Sequence, residues 1–363
     1  MAFAVELVNR TPFAAATHVQ PDADGQEVLV AMFSASFEAP SQDAELKPAE
    51  IQLPVNFGDV PFGNPVLSST RYEADIAPVK PSAEVIVNGT AYAPNGKPVK
   101  EMQVGLRIGD TRKVLNVVGD RVYDSGNYSA PHPFRTMPIV YERAYGGSAP
   151  DGSVVDRHNP VGVGFHHFPS ADHAVKTQAP NITYPGEPFL SPSDRPRPAG
   201  FGALGRGWQP RIGYAGTYDQ AWIDTQWPLP PKDFDARYNL CAPADQQLQR
   251  FSGREDVSLI GLTSTGRWDF RLPAVVAPLR LIYSDRVEDH PFRADTVIIE
   301  PDIWRITLKA RLAVLTRRQA PPLREIVFGH VSPALLAARR KRKAYFSQRG
   351  GDGTLLNQPV WQP

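Results

Sequence analysis

The sequence predicts a mainly β protein: a large β-sandwich or barrel-like unit with long ordered Pro/Gly-rich loops and one short basic C-terminal helix. Three observations carry that expectation. Proline supplies 37 of 363 residues, about twice ordinary usage. Proline gives a sheet no ladder donor and pushes the preceding residue out of helix, so this density favours short strands joined by loops. Two blocks with strand patterning flank the middle of the chain. Between them, residues 124–250 show neither a two-residue nor a 3.6-residue period, yet they carry Phe201, Trp208, Tyr214, Tyr218, Trp222, Trp227 and Phe234. Rings of that size bury large areas, so this stretch reads as packed irregular structure forming one working surface rather than as a linker.

The elements follow in order within a single compact unit expected to span residues 1–363. In the N-terminal β block, residues 1–123, FAVELVNRT and VLVAMFSASFEAP read as strands separated by the turn-rich PDADGQE, a hairpin with a long loop. Residues 40–82 form a Pro-rich ordered connector with turn signals at 56–58 and 61–64. AEVIVNGTAY, MQVGLRIG and KVLNVVGDRVY then read as a meander, turning at Ala93–Gly96 and at Gly109-Asp110. In the C-terminal β block, residues 251–331, the segments are VSLIGL, WDFRLP, APLRLIYS and DTVIIEPDIWRITLKARLAVL, the last a hairpin about Pro301-Asp302. A basic helix is expected over 332–349, with Ser332 as N-cap and Pro333 at the first helical position.

Apolar and charged fractions of 42% and 21% are those of an ordinary folded chain. The single cysteine, Cys241, excludes an internal disulfide and suits a reducing compartment. The opening MAFAVELVNR lacks the pattern of a signal peptide, and no 18-residue apolar run follows, so the expectation is a cytoplasmic protein that does not enter a membrane. Net charge is +1, but residues 317–349 hold nine Lys/Arg against Glu325 alone. The patch Arg339, Arg340, Lys341, Arg342 and Lys343 suits an acidic partner, and it equally suits the negative end of its own helix dipole.

Patterns that carry chemistry are weak. His158, His166, His167 and His173 with Asp156 and Asp172 match no metal-ligand spacing, so no metal is expected. Asp219, Asp233, Asp235, Asp245 and Glu142 could in principle pair as acid and base, but loop aspartates more often accept backbone N–H bonds. No nucleophile elbow exists. Gly200, Gly202 and Gly205 spell G-x-G-x-x-G without the preceding strand that a dinucleotide site needs. RGWQPRIGY interleaves aromatic and basic residues outside any recognised nucleic-acid module, so no nucleic-acid partner is expected. Neither cofactor nor enzymatic activity is expected; the alternative is a carboxylate-dependent hydrolase acting on a glycan or amide.

Six ordered motifs are more specific than any of these signals. YERAYGG (141–147), HNPVGVGF (158–165), PAGFGALGRGWQPR (198–211), AGTYDQAW (215–222), WPLPPKDFDARYN (227–239) and APADQQ (242–247) make the chain resemble the domain-of-unknown-function 2169 family, nearly over its full length. KVLNVVGDRVY and the late DTVIIEPDIWRITLKARLAVL hairpin agree with the family's flanks, whereas Leu240-Cys241 departs from its pattern. The resemblance implies an accessory protein of type VI secretion, an adaptor or chaperone that binds a cognate effector or PAAR-tip protein and couples it to the spike. The residues expected to bind a partner or to organise the loops are Arg143, Tyr145, Gly146, Gly147, Asn159, Trp208, Arg211, Tyr218, Asp219, Trp222, Trp227, Asp233, Asp235, Asp245 and Gln246. Aromatic residues and Arg are the types that dominate protein-binding patches.

Overall fold

Apolar side chains on the long strands supply the buried faces on which the sheets stack, and the longest strand, Glu27–Glu38, buries apolar side chains on both of its faces. The computed structural model describes residues 5–124, 127–149, 152–165, 177–316, 321–341, 343 and 360–362. The strands of the three main sheets are β1 (Glu6–Asn9), β2 (Ala14–Pro21), β3 (Glu27–Glu38), β4 (Ala83–Val87), β5 (Glu101–Ile108), β6 (Thr111–Val118), β7 (Ile182–Thr183), β8 (Gln247–Leu248), β9 (Asp256–Ile260), β10 (Arg267–Arg271), β11 (Leu279–Tyr283), β12 (Val287–His290), β13 (Ala294–Glu300), β14 (Arg305–Leu315) and β15 (Leu323–Phe328). A seven-stranded sheet runs β8-β4-β13-β14-β3-β2, with Lys47–Pro48 added beside β3. A five-stranded sheet runs β7-β6-β5-β9-β10 and a four-stranded sheet β1-β15-β11-β12. The fold is mainly β and sandwich-like; none of these sheets closes into a barrel.

One apolar core joins all three sheets. Phe33 and Phe37 of β3, Val297 and Ile299 of β13, Leu106 of β5, Leu259 of β9, Leu281 of β11 and Phe328 of β15 belong to a single buried cluster that also holds Trp268. The rings of Phe33 and Phe328 lie 4.6 Å apart and carry the contact between the seven- and four-stranded sheets.

Two pairings and one helix differ from expectation. β1 does not form a hairpin with β3; it lies parallel to β15 in another sheet, and the hairpin partner of β3 is β2, whose sequence AAATHVQP carries little apolar pattern. The segments 83–92, 101–108 and 111–118 are not one meander: β5 and β6 pair across Gly109-Asp110, but β4 joins the other sheet, parallel to β13. A short helix, α1 (Gln220–Thr225), interrupts the middle where only irregular structure was expected. The β13–β14 hairpin forms about Pro301–Ile303 as read.

The C-terminal helix, α2 (Pro333–Arg340), starts where its N-cap predicts, with Ser332 accepting from Leu335 N–H at 3.1 Å. It is shorter than the 332–349 span, since Lys341 is already a turn; Arg342 and residues 344–350 lie outside the described residues. Arg339 pairs with Glu325 at 3.0 Å, while Lys341 and Lys343 are exposed. Among the described residues no helix is long and apolar enough to cross a membrane.

Candidate functional site

The seven-stranded sheet has two buried faces, one apolar and one on which charged and polar groups stand among apolar ones such as Met32, Ile86 and Ile298. Leu29, Phe33, Val85, Val297 and Leu308 point into the main core. The alternate residues Ser36, Glu84, Thr296, Glu300, Thr307 and Lys309 point the other way, and they too are buried. The connector 49–80 and the motif segments 203–246 lie over this mixed face, pinned by charges. Glu84 accepts from Cys241 N–H and Ala242 N–H, both at 2.8 Å. Asp75 meets Lys309 at 2.5 Å and also accepts from Asn56 N–H at 2.8 Å. Glu300 gathers Arg71 at 2.8 Å, Arg305 at 2.8 Å and the Tyr72 hydroxyl at 2.5 Å.

At the centre of this layer Lys80, fully enclosed, pairs with Glu84, lies 3.7 Å from Glu73 and donates to Thr296 at 3.0 Å. Burial alone would raise the Glu73 carboxyl; Lys80, then Arg211 and Arg206, outweigh it and hold the group below its usual range. Burial pushes the Cys241 thiol well above its usual value, and Glu73 and Glu84 add to the rise. Glu73, Glu84 and Cys241 offer three ligand-type atoms within 4.8 Å of one another. The Lys80 ammonium already fills the cationic role there, and a protonated thiol is a poor ligand.

The motif residues divide between this framework and the surface. Arg211 is 3% exposed and donates to Leu204 O at 2.6 Å, to Tyr238 O at 2.8 Å and to Glu73. Asn159, wholly buried, ties Tyr141 O and Tyr145 O at 2.8 and 2.9 Å. Gly146 has φ 145° and passes so close to Asn159 that a Cβ would run into its carbonyl oxygen, which also accepts from Gly147 N–H at 2.7 Å. Tyr145 packs on Phe189, and Trp208 meets Tyr141 edge-on at 5.4 Å. Gly200 and Gly205 lie against the rings of Tyr141 and Trp208, which accounts physically for glycine at those two positions of G-x-G-x-x-G. Arg143, partly exposed, bonds Asn181 and Asp120 at 3.1 and 3.2 Å.

Lys113, missed in the sequence, sits beneath the motifs with Asp245 at 2.9 Å and Gln246 at 2.8 Å. Burial lowers its pKa to about 8 against the opposing pull of Asp245. Gln246 in turn donates to Val85 O and Phe201 O, fixing the last motif to the sheet. Beside these residues opens a cleft of about 360 Å³ whose rim carries Arg197 over Tyr184 and Arg237 over Tyr214, at 4.6 and 4.2 Å.

The third group forms an exposed lobe over residues 217–235. Asp219 caps α1 by accepting from Trp222 N–H at 2.9 Å. Asp233 accepts from Thr217 N and Oγ1 at 3.0 and 2.7 Å, and Asp235 accepts from Arg237 N at 2.8 Å. The Trp222 indole donates to Leu229 O at 3.1 Å, and its ring meets Tyr218 edge-on at 4.7 Å. Gln226 ties the lobe to the β2–β3 turn through Ala23 O at 2.7 Å. What these bonds hold in place is apolar and open: Trp227 is 66% exposed, Tyr218 58% and Ile223 54%.

A family model described as "Uncharacterized protein conserved in bacteria (DUF2169)" matches residues 24–311. The chain belongs to this family. No curated protein matches it, and no solved structure does. All six motifs fall inside the span matched to the 2169 family, whereas β1, β2, β15 and α2 lie outside it. The family region therefore contains the charged layer, the cleft and the exposed lobe together. Of the histidines, His158 is exposed beside Asp156 at 3.5 Å; His166, His167, His173 and Asp172 lie outside the described residues.

Proposed function

We propose that this member of the 2169 family is a noncatalytic adaptor of bacterial type VI secretion. It acts in the cytoplasm, binds a cognate effector or its PAAR-containing carrier, and couples that cargo to the spike. The observation that carries this reading is the lobe in which Trp227, Tyr218 and Ile223 stand exposed on a hydrogen-bonded support. Large apolar side chains left open on a rigid support are the usual anchors of a protein interface. The lobe's own bonds supply the rigidity: Asp219 caps α1, Asp233 holds Thr217 and Gln226 reaches Ala23 O, so little ordering remains to be done on binding. Handover then follows from competition, the spike complex holding the cargo more tightly than the adaptor does.

The test is a pull-down of the tagged protein from its host, with and without the host's type VI toxin and PAAR genes. Recovery of a toxin, PAAR or spike protein that depends on those genes is expected. A folded bait that recovers none of them overturns the proposal.

A further inference from the structure

The lobe is not only apolar; it is also acidic. The stretches 22–26 and 217–234, joined through Gln226 and Ala23 O, contain the carboxylates Asp22, Asp24, Asp219, Asp224 and Asp233 and one ammonium, Lys232. Asp24, Asp219, Asp224 and Asp233 are exposed. The carboxylate that follows, Asp235, is matched by its own salt bridge to Arg237 at the cleft side, so it adds nothing to the excess. Lys232 answers one of the five carboxylates, so the two stretches that carry Trp227 and Ile223 keep an excess of four negative charges.

We infer that this surface takes a cationic amphipathic segment of a partner protein, with apolar side chains laid on Trp227, Tyr218 and Ile223 and Lys or Arg side chains facing Asp24, Asp224 and Asp219. Two independent features converge on that chemistry. Exposed Trp, Tyr and Ile side chains call for an apolar partner face. An uncompensated excess of carboxylates steers positive charge toward the same place and penalises an acidic partner. Trp and Tyr rings add cation–π attraction for the same Lys and Arg side chains. The inference rests on the adaptor reading in taking the lobe as the docking surface, and it adds the chemistry of what docks.

The experiment uses the full chain and a fluorescein-labelled amphipathic peptide of alternating Leu and Lys pairs, with the matching Leu/Glu peptide as contrast, followed by fluorescence anisotropy. The Leu/Lys peptide is expected to bind and the Leu/Glu peptide not to. Trp227→Ala is expected to weaken binding about thirtyfold, as loss of an aromatic anchor does. Joint Asp24→Lys and Asp224→Lys is expected to weaken it roughly fivefold, with the difference shrinking as salt is raised. Equal binding of both peptides, or binding of the Leu/Lys peptide that ignores Trp227→Ala, overturns the inference. Capture of the natural partner separates it from the adaptor reading. If Trp227→Ala loses the partner while the double Lys variant keeps it at full strength, the cationic segment is wrong and the docking surface stands. If Trp227→Ala captures the partner like wild type, the docking surface itself is wrong.

Discussion

The segments 198–211 and 215–239 carry neighbouring motifs of similar composition, rich in Gly, Pro, Trp, Tyr and Arg, yet they do opposite things. In the first, Trp208 and Arg211 turn inward: the ring packs on Tyr141, and the guanidinium spends its donors on Glu73 and on the carbonyls of Leu204 and Tyr238. In the second, Asp219, Asp233 and Asp235 satisfy the backbone locally, and Tyr218, Ile223 and Trp227 are left facing out. The difference teaches that a motif's aromatic and Arg content does not distinguish framework from interface. What separates them is where the polar partners come from. Residues whose hydrogen bonds come from a distant layer are framework, and residues propped by their own loop are free to meet something else.

The largest way to break this division is at the framework. Arg211→Ala removes a buried guanidinium from Glu73, which is itself buried. Glu73 keeps Lys80 and Arg206, so the cost lies toward the lower end of the about 3–5 kcal/mol that breaking a buried ion pair carries. A fall in unfolding free energy of that order, measured by urea unfolding, is expected. The exposed Arg237, paired with the partly exposed Asp235, is the contrast: Arg237→Ala is expected to leave the midpoint where it was. Equal losses in the two variants would erase the distinction between the layers.

Lys113 sharpens the same comparison through pH. Its folded-state pKa lies near 8, below the ordinary 10.5, because burial disfavours the ammonium. Between those two values the unfolded chain binds more protons than the folded one, so this group's contribution to stability rises with pH across that window and is flat below it. The whole effect is of the order of 3 kcal/mol. In Lys113→Met that slope disappears. The stability of wild type relative to the variant is therefore expected to grow from pH 7.5 to pH 10, measured by urea unfolding at each pH; a difference that stays constant would mean that Lys113 titrates like a solvated lysine.

Much of the scaffold was legible in the sequence because period-two patterning marks strands whatever their partners. The hairpins β5–β6 and β13–β14 carry their turns between two patterned runs, and Ser332-Pro333 announces α2. Pairing across long separations was not legible. β4 resembles the start of a meander, yet it lies parallel to β13, about two hundred residues later, because only the packed sheet decides which edge it meets. The charged layer was hidden for a related reason. Lys309 and Arg311 alternate with Leu308 and Ala310, the pattern of a strand with one wet face, and nothing local reveals that the connector covers that face. A sequence signal did exist: Glu84 and Lys309, opposite charges within strongly apolar strands, can be buried only if partners such as Lys80 and Asp75 are supplied from elsewhere. For the candidate site, the six motifs located the region, but they listed Arg211 and Trp208 beside Trp227 without separating support from contact.

The smallest expected effect on stability is the one that most directly tests the exposed side of the comparison. Asp219→Ala removes the N-cap of α1 and is expected to cost about 1 kcal/mol, since one helix N–H loses its acceptor. Trp227→Ala removes a ring that is two-thirds exposed, so the folded state gives up little buried area and the unfolding free energy from urea should change by less than about 0.5 kcal/mol. Partner capture should respond in the reverse order: the Trp227 variant fails, while the Asp219 variant, whose ring cluster is loosened rather than deleted, binds with intermediate strength. That inversion is what a lobe built for contact requires. If Trp227→Ala instead lowers stability as much as loss of the cap, the indole is packing against the fold, and the lobe belongs with the framework on which Arg211 and Glu73 already sit.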